Sequence, residues 1–479
     1  MISTVDCDWS SHEGHLSDEL EDHLEALLSF ERTGRGVAGR LTAALRTAIE
    51  EGRLTAGTRL PSSRELATEL GVSRGVVVEA YEQLIAEGWL TGRRGSGTTV
   101  TSAGQPHDAS ARDSFVPAGP LPLRPGIPDL GLFPRVAWRR AYESVLTTMR
   151  DTDLDYGDPA GPAAVREQLA AYLRRVRAAR LAAADLLLTS GAAHAFSLVG
   201  MVLRAAGHRA VAIEDPGSQG IREQLAHALT VRPVPVDEEG LDVAALARTD
   251  VRAVVVTPAH QFPTGSVLSP TRRAELIAWA RRTGGVIIED DYDAEFRYDR
   301  DPVGCVQGVA PDVTIYIGST SKALAPALRL GWLSAPVRHL AAIRTKRRSI
   351  DLGGPVLEQH AFANLVGSGA YDRHLRRARR AYRIRRDALV AALETQLPGL
   401  RIHGVAAGLH LVLDLPPGSD DVAVAAAASR AGLGPLALSA CRMVDGPPGL
   451  VLGYAASTPD ELAAATVTLA AVIHHPPSR

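Results

Sequence analysis

The sequence predicts an α/β protein that opens with a winged helix-turn-helix. Three observations carry this. Residues 37–101 spell helix, helix, turn, helix and a Gly-rich β-ribbon in close succession. Beyond residue 124, short apolar runs alternate with helical stretches, the texture of a mostly parallel sheet covered on both faces. At 479 residues the chain is also too long for one ordinary domain; a prior of about 150 residues per domain gives roughly three units.

Residues 1–34 form an acidic extension, nine acids against one Arg, in which Leu16, Leu20, Leu24, Leu27 and Leu28 have the spacing of a short amphipathic helix. A helix is expected over 37–50, stopped by Gly52. Ser62 or Ser63 caps a second that runs to about Leu70, where Gly71 closes it; Ser73 caps a third over 74–87, ended by Gly88. Two short strands, 89–91 and 98–101, flank the turn 92–97 and complete a reader module over 35–101. Residues 102–123, rich in Ala, Gly, Pro, Asp and Ser without periodicity, read as a linker. Within 124–479, strands are expected at 186–189, 210–213, 253–257, 286–288 and 313–318, giving a large domain to about residue 354. A smaller α+β domain follows over 355–479, with long basic helices, strands near 409–413 and 449–454, and a last helix over 459–473.

Composition narrows the function classes. Hydrophobic residues at 46% and charged residues at 22% exclude wholesale disorder. Cys7, Cys305 and Cys441 are too few and too scattered for a disulfide framework or a Cys-rich zinc site, so no metal is expected. No apolar run reaches the roughly 18 residues of a membrane span, and the N-terminus lacks the basic start of a signal peptide; the expected location is the cytoplasm. A net charge of −2 does not by itself point to nucleic acid, but the charge is uneven: residues 35–100 hold nine Arg against seven Glu, and residues 373–386 hold eight Arg and no acid. That basic stretch either touches DNA or forms a solvated face. Of the 52 basic residues only Lys322 and Lys346 are lysine. A chain that uses Arg wherever charge suffices retains lysine where amine chemistry is needed.

A helix-turn-helix lays its second helix in the major groove and makes base contacts near that helix's N-terminus. Ser73, Arg74, Gly75 and Val76 occupy that end. Arg74 can fork two hydrogen bonds to guanine, while Ser73 and free backbone N–H groups can hold a phosphate. Ser63 and Arg64 open the preceding helix, placed for backbone phosphates. Arg93 and Arg94 at the wing tip can enter the adjacent minor groove or touch phosphate. The expected partner is double-stranded promoter DNA.

A second constellation lies downstream. Lys322 stands in Gly318-Ser-Thr-Ser-Lys322, just after an expected strand, with Arg329 seven positions on. Its amine can form a Schiff base with an aldehyde, while Ser319, Ser321 and Arg329 can hold a phosphate. Asp290 and Tyr292 follow another strand, at the end where α/β sheets bind ligands. Gly191 and Ala192 open a helix whose N–H groups add donors. These are the parts that pyridoxal phosphate requires: an amine for its aldehyde, an acid that keeps the ring nitrogen protonated, and phosphate donors. His194 and His260 either approach the cofactor or have a core or surface role.

The runs Gly57-Thr-Arg-Leu-Pro-Ser-Ser-Arg-Glu-Leu-Ala67, Leu70-Gly-Val-Ser-Arg74 and Gly95-Ser-Gly-Thr98 resemble the GntR DNA-binding domain. The resemblance implies that Arg64, Ser73, Arg74 and the wing glycines Gly95 and Gly97 belong to the DNA-contacting set. The runs Asp155-Tyr-Gly-Asp-Pro-Ala-Gly161, Glu214-Asp-Pro-Gly217 and Thr257-Pro-Ala-His-Gln-Phe-Pro-Thr-Gly265 resemble fold-type-I aminotransferases. The fusion looks like the MocR subfamily of GntR-type regulators. What this implies is a Schiff base at Lys322, Asp290 on the pyridine nitrogen, Tyr292 on the ring hydroxyl, and phosphate held by Gly191, Ala192, Ser319, Ser321 and Arg329. It also implies a domain-swapped homodimer and a small-molecule effector, either pyridoxal phosphate or an amine or amino-acid-like metabolite.

The departures bear on activity. Relatives often carry an aromatic where this chain has Ser218 and Gln where it has Ala193; the aminotransferase Asn is replaced by Phe262, and a late carboxylate-binding Arg by Ala456. Without that cation a substrate carboxylate lacks its strongest partner. Arg222 either replaces it or is a solvated helix position. A regulator with weak or absent transamination is expected, rather than an aminotransferase with a DNA-binding appendage.

Overall fold

The computed structural model describes residues 28, 30–93, 97–102, 121–298 and 303–474. The expected helix around residues 16–28 therefore lies outside the described residues, except for Leu28, which is buried in the core of the first unit. The chain divides into two compact units, Met1–Pro117 and Ala118–Arg479.

The first unit runs α1 (Val37–Glu50), β1 (Arg59–Leu60), α2 (Ser63–Glu69), α3 (Arg74–Ala86), β2 (Leu90–Arg93) and β3 (Gly97–Val100). The three helices bury Leu41, Leu45, Leu66, Leu70, Val77 and Leu84 in a common core, the i, i+3, i+4 pattern that a small helical module requires. Ser62 rather than Ser63 caps α2, in a reciprocal capping box with Glu65. The strands form an antiparallel sheet in the order β1-β3-β2. β1 was not expected, because two residues are too short to carry an alternating pattern.

The second unit continues with α4 (Arg135–Thr148), α5 (Ala163–Arg177), β4 (Leu186–Thr189), α6 (Ala192–Ala205), β5 (Ala210–Asp215), α7 (Gln219–Ala226), β6 (Thr230–Asp237) and β7 (Gly240–Leu241). Next come α8 (Val243–Ala247), β8 (Ala253–Val256), α9 (Pro270–Thr283), β9 (Val286–Asp291), β10 (Thr314–Ser319), β11 (Gly331–Ser334), α10 (Val337–Asp351), α11 (Val356–Gly367) and α12 (Ala370–Gln396). The chain closes with β12 (Ile402–His403), β13 (His410–Asp414), α13 (Asp421–Arg430), β14 (Leu436–Ala437), β15 (Gly449–Gly453) and α14 (Pro459–His474).

The main sheet has the order β4-β11-β10-β9-β8-β5-β6-β7. Strands β10, β9, β8, β5 and β6 are parallel, and β11 runs antiparallel between β4 and β10. Both faces are covered. Val255 and Ile288 pack with Phe196 and Val199 of α6, whereas Val254, Val256 and Ile287 pack with Leu276 and Trp279 of α9, as the two-residue period of a strand demands. A second, antiparallel sheet has the order β12-β13-β15-β14.

Besides β1, the strands β6, β7, β11, β12 and β14 escaped the sequence, the two-residue β7, β12 and β14 for the same reason as β1. β6 carries Pro233 and Pro235, which its place near the sheet edge tolerates because a missing N–H there need not break an interior ladder. β11 is four residues beginning with Gly. Of the expected linker, residues 121–123 already belong to the second unit: Leu123 is buried and its N–H donates to Leu433 O at 2.9 Å. Five of the eight arginines in the basic stretch of α12, Arg373, Arg376, Arg377, Arg380 and Arg383, are exposed as a solvated face would have them, while Arg379, Arg385 and Arg386 are half-buried. Arg377 donates to Leu132 O, Arg379 to Glu295 O, and Arg385 pairs with Asp129 at 2.7 Å. These arginines staple the unit together. No helix among the described residues is long and apolar enough to cross a membrane.

Candidate functional site

The register of the sheet assembles the cofactor-type constellation. Ile317 of β10 pairs with Asp290 of β9, and both strands run the same way, so their ends bring Asp290 and Tyr292 beside the turn that carries Lys322. On the other side, Gly331 of β11 faces both Ser319 of β10 and Thr189 of β4. This sets the start of α6, capped by Gly191, level with the Ser319–Lys322 turn. Gly191 takes φ +87°, and a Cβ there would stand 2.6 Å from Nη2 of Arg329. The bare backbone lets Arg329 close over the helix start, where it donates to Ser190 O at 2.6 Å.

A cavity of about 300 Å³ lies at this junction. Ala192, Asp290, Tyr292, Ser319, Ser321, Lys322 and Arg329 line it; Gly191 stands behind Arg329. The structure thus gathers the sequence-picked residues around one space. The amine of Lys322 donates to Gly126 O at 2.6 Å. Burial lowers its pKa, and the negative charges of Asp293 and Asp290 oppose that shift. Burial and the charges of Asp291 and Asp293 push Asp290 up to about 8, and its Oδ1 is buried with no partner among the described residues. An orphaned carboxyl oxygen in a dry pocket calls for a donor from whatever fills the cavity. The protonated ring nitrogen of pyridoxal phosphate is such a donor, and Ser319, Ser321, Arg329 and the N-terminus of α6 supply the complement for its phosphate. The residues fit the group.

Several contributors were not found from the sequence. Gly126 has no motif to mark it. Glu214 is buried, accepts from the Thr257 hydroxyl at 2.5 Å, and is raised to about 7 by that burial. Asp293 and His410 are buried beside His260, which does not line the cavity itself but lies 3.0 Å from the hydroxyl of Tyr292, which does. His194 accepts from Arg347 at 2.7 Å and does not line the cavity. Of the departures, Ser218, Ala193 and Phe262 do line it, whereas Ala456 is solvent-exposed and outside the lining. Arg222 is neither a cavity cation nor a solvated helix residue: it is half-buried and donates to the carbonyls of Arg442 and Ala440.

In the first unit, Ser73, Arg74 and Gly75 are exposed at the start of α3. Ser73 makes no side-chain capping bond, so its hydroxyl and the first-turn N–H groups face outward together. Arg74 Nε lies 3.4 Å from Ser63 Oγ, and Arg64 is exposed on the same helix as Ser63. Val76 instead packs partly against the core. Gly97 begins β3; Arg94 and Gly95, and the side chain of Arg93, lie outside the described residues.

Residues 38–100 match the family described as bacterial regulatory proteins, gntR family, and residues 124–465 match aminotransferase class I and II. The chain is 37% identical to the HTH-type pyridoxine biosynthesis transcriptional regulator PdxR of Corynebacterium glutamicum, over 84% of this chain and 87% of that protein. It is 30% identical to the probable rhizopine catabolism regulatory protein MocR of Rhizobium meliloti, over 87% of this chain and 89% of that protein. The chain belongs to the MocR subfamily of GntR-type transcriptional regulators. The second unit shares the fold of aminotransferases: a Pyrococcus horikoshii kynurenine aminotransferase aligns with a TM-score of 0.69 at 24% identity, covering 75% of this chain and 92% of that one. This MocR regulator therefore joins a DNA-binding module to an aminotransferase class I and II domain, a family that works with pyridoxal phosphate.

Proposed function

We propose that this MocR regulator binds promoter DNA through α3 and the wing, and holds pyridoxal phosphate at Lys322 as part of a sensing site rather than for turnover. One observation carries the reading: a buried amine with a lowered pKa shares a cavity with a buried acid whose Oδ1 has no partner among the described residues. When bound, the cofactor supplies an aldehyde that captures a primary amine. Lys322 holds it; Asp290 keeps the ring nitrogen protonated; Tyr292 faces the ring hydroxyl; Gly191, Ala192, Ser319, Ser321 and Arg329 bind the phosphate. Ser63, Arg64, Ser73, Arg74 and Gly75 contact DNA, with Arg93, Arg94, Gly95 and Gly97 at the wing. Val76 contributes least, since its side chain turns inward.

The effector is pyridoxal phosphate itself or an amine-like metabolite. The name of the Corynebacterium relative, a regulator of pyridoxine biosynthesis, favours the former. Among the described residues the cavity lining offers no cation for a substrate carboxylate beyond Lys322 and Arg329, both already assigned to the cofactor. Weak or absent transamination follows, because catalysis requires placing a substrate and not only holding a cofactor. Effector occupancy shifts a conformational equilibrium of a homodimer in which the reader of one chain lies against the partner's larger unit. The test is to map DNA bound by the purified protein with and without pyridoxal phosphate, while following its visible absorption. No chromophore and no change in DNA binding would remove the sensing role. The aminotransferase fold supports a second reading, an enzyme with a DNA-binding appendage; transamination of common amino acids at an ordinary rate, on the order of 10 s⁻¹, would promote it.

A further inference from the structure

Against Tyr292 sits a pair of buried polar residues to which the proposed function gives no task. His260 Nδ1 lies 2.8 Å from Asp293 Oδ2 and 3.0 Å from the hydroxyl of Tyr292. His260 and Asp293 are 3% and 2% exposed, so water does not substitute for either contact. His260 Nε2 has no partner among the described residues. The chain makes room for this pair: Gly408 takes φ +73°, and a Cβ there would collide with the His260 imidazole and stand 2.7 Å from Asp293 Oδ2.

The proton arrangement follows from donor and acceptor capacity. With Asp293 a carboxylate, the contact at 2.8 Å requires the hydrogen on Nδ1 of His260. Nδ1 then has no lone pair to offer Tyr292. It shares its hydrogen with the phenol oxygen instead; the phenol's own hydrogen is directed at Asp293, and an anionic oxygen in the cavity competes for it. That leaves Nε2 as a bare lone pair, consistent with its lack of a donor nearby. The ligand-type atoms of His260, Asp293 and His410 lie within 4.8 Å of one another. A metal ion there would compete with existing bonds, however, since Nδ1 of His260 is engaged by Asp293 and Nε2 of His410 by Pro263 O.

We infer that His260 and Asp293 are positioning residues that hold the Tyr292 phenol by its oxygen, so that its hydrogen is presented to the cavity. This rests on the proposed cofactor site for the identity of the acceptor, the ring oxygen of pyridoxal phosphate. A donor at that oxygen stabilises its negative charge and so loosens the proton on the nitrogen of Lys322. The other charged groups that act on the Tyr292 phenol are Asp290 and Asp293, from its own segment, and Glu214 from β5. Lys322 faces both aspartates, His410 of β13 faces His260 and Lys322, and Tyr298 and Tyr454 face Asp293. All of them persist in a variant that changes His260 alone.

The experiment uses the full chain in two states. In the pyridoxal-phosphate-loaded protein, the pH midpoint of the Lys322-linked visible band is compared among wild type, His260→Leu and His260→Asn. Loss of the donor in His260→Leu raises the midpoint by about one pH unit, the scale of one hydrogen bond to a charged group. His260→Asn, whose amide nitrogen can stand where Nδ1 stood, restores the wild-type midpoint. Equal midpoints in wild type and His260→Leu overturn the inference. In the cofactor-free wild type, ¹⁵N-histidine spectra, assigned by loss of the His260 signal in His260→Asn, show hydrogen on Nδ1 and a bare Nε2. The opposite tautomer overturns the pair's role whether or not the cofactor binds, whereas a wild type without any visible band sinks the cofactor site and leaves the tautomer to stand on its own measurement.

Discussion

Lys322 Nζ donates to the backbone oxygen of Gly126 at 2.6 Å, a bond between residues 196 positions apart in the chain. The bond parks the amine at the cavity wall. Burial favours its neutral form, which is the nucleophile an aldehyde requires, while Asp290 and Asp293 hold back the full effect of that burial. Lys322→Ala is expected to abolish the borohydride-reducible adduct with pyridoxal phosphate, read as a mass increment on one peptide, with the circular dichroism spectrum retained. Lys322→Arg should do the same, since a guanidinium keeps the charge but not the amine chemistry. Lys346 lies on α10 outside the cavity lining. An adduct found there in either variant would misplace the site.

The second relationship is between Gly191 and Arg329. Arg329 reaches across the start of α6 because residue 191 has no side chain and takes a left-handed backbone. Gly191→Ala strains that backbone and drives the guanidinium away from the phosphate position. A roughly tenfold weaker affinity for pyridoxal phosphate is expected, equivalent to about 1.4 kcal/mol, measured by fluorescence or absorbance titration. DNA affinity of the cofactor-free protein should not change. Unaltered cofactor affinity would separate Arg329 from phosphate binding.

The sequence exposes the fold and the cavity to different degrees, for physical reasons. The strand that carries Asp290 and the strand that leads into the Lys322 turn are apolar on both faces, so composition alone marks them, and their ends point to ligand chemistry. The scarcity of lysine singles out Lys322 before any geometry is known. The partners of those residues are less visible. Gly126 enters through a backbone carbonyl, which any residue type offers. Asp293 differs from its acidic neighbours only in which way it points, and His410 reaches the site from β13, more than a hundred residues beyond His260 in the chain. β11 is hidden because its antiparallel insertion between β4 and β10 leaves no mark in a four-residue run. The arginines of α12 divide: five of the eight are exposed, as a basic run suggests, while the half-buried Arg379 and Arg385 donate to Glu295 O and Asp129 of the same unit, which the run itself does not disclose.

The DNA-reading candidates separate by what their side chains do. Arg74 is exposed and only loosely engaged, its Nε 3.4 Å from Ser63 Oγ, so it is free to reorient toward a base. Arg74→Ala should weaken binding to the target by about 1–3 kcal/mol and relax base preference at one position. Arg64→Ala should weaken all sequences alike and reduce the salt dependence by about one unit of slope, as for a phosphate contact. Ser62, by contrast, caps α2, so Ser62→Ala should lower stability by about 1 kcal/mol. Binding isotherms at several salt concentrations distinguish the three. Uniform loss of affinity in Arg74→Ala would move it from the base-reading set to the phosphate set.

Asp290 connects the cofactor site to the stability of the empty protein. Its pKa stands at about 8 in the folded chain against an ordinary value near 3.8, mainly because burial penalises the carboxylate and Asp291 and Asp293 add like charge. Between those two values the folded chain retains a proton that the unfolded chain has released. The native state therefore binds more protons, and Asp290's contribution to stability falls as pH rises through this window. Below it, both states are protonated and the contribution vanishes. Asn has the shape of the protonated acid and cannot ionise. Cofactor-free Asp290→Asn is thus expected to match the wild type in melting temperature near pH 4 and to exceed it increasingly toward pH 8, while Glu214, Glu289 and Glu295 affect both proteins alike. With pyridoxal phosphate the order reverses, since the variant has lost the charge that holds the ring nitrogen's proton, and ligand binding stabilises it less. Parallel melting curves across pH 4–8 would show that the acid is not buried as charge, and an equal gain from the cofactor in both proteins would remove Asp290 from the ring-nitrogen position.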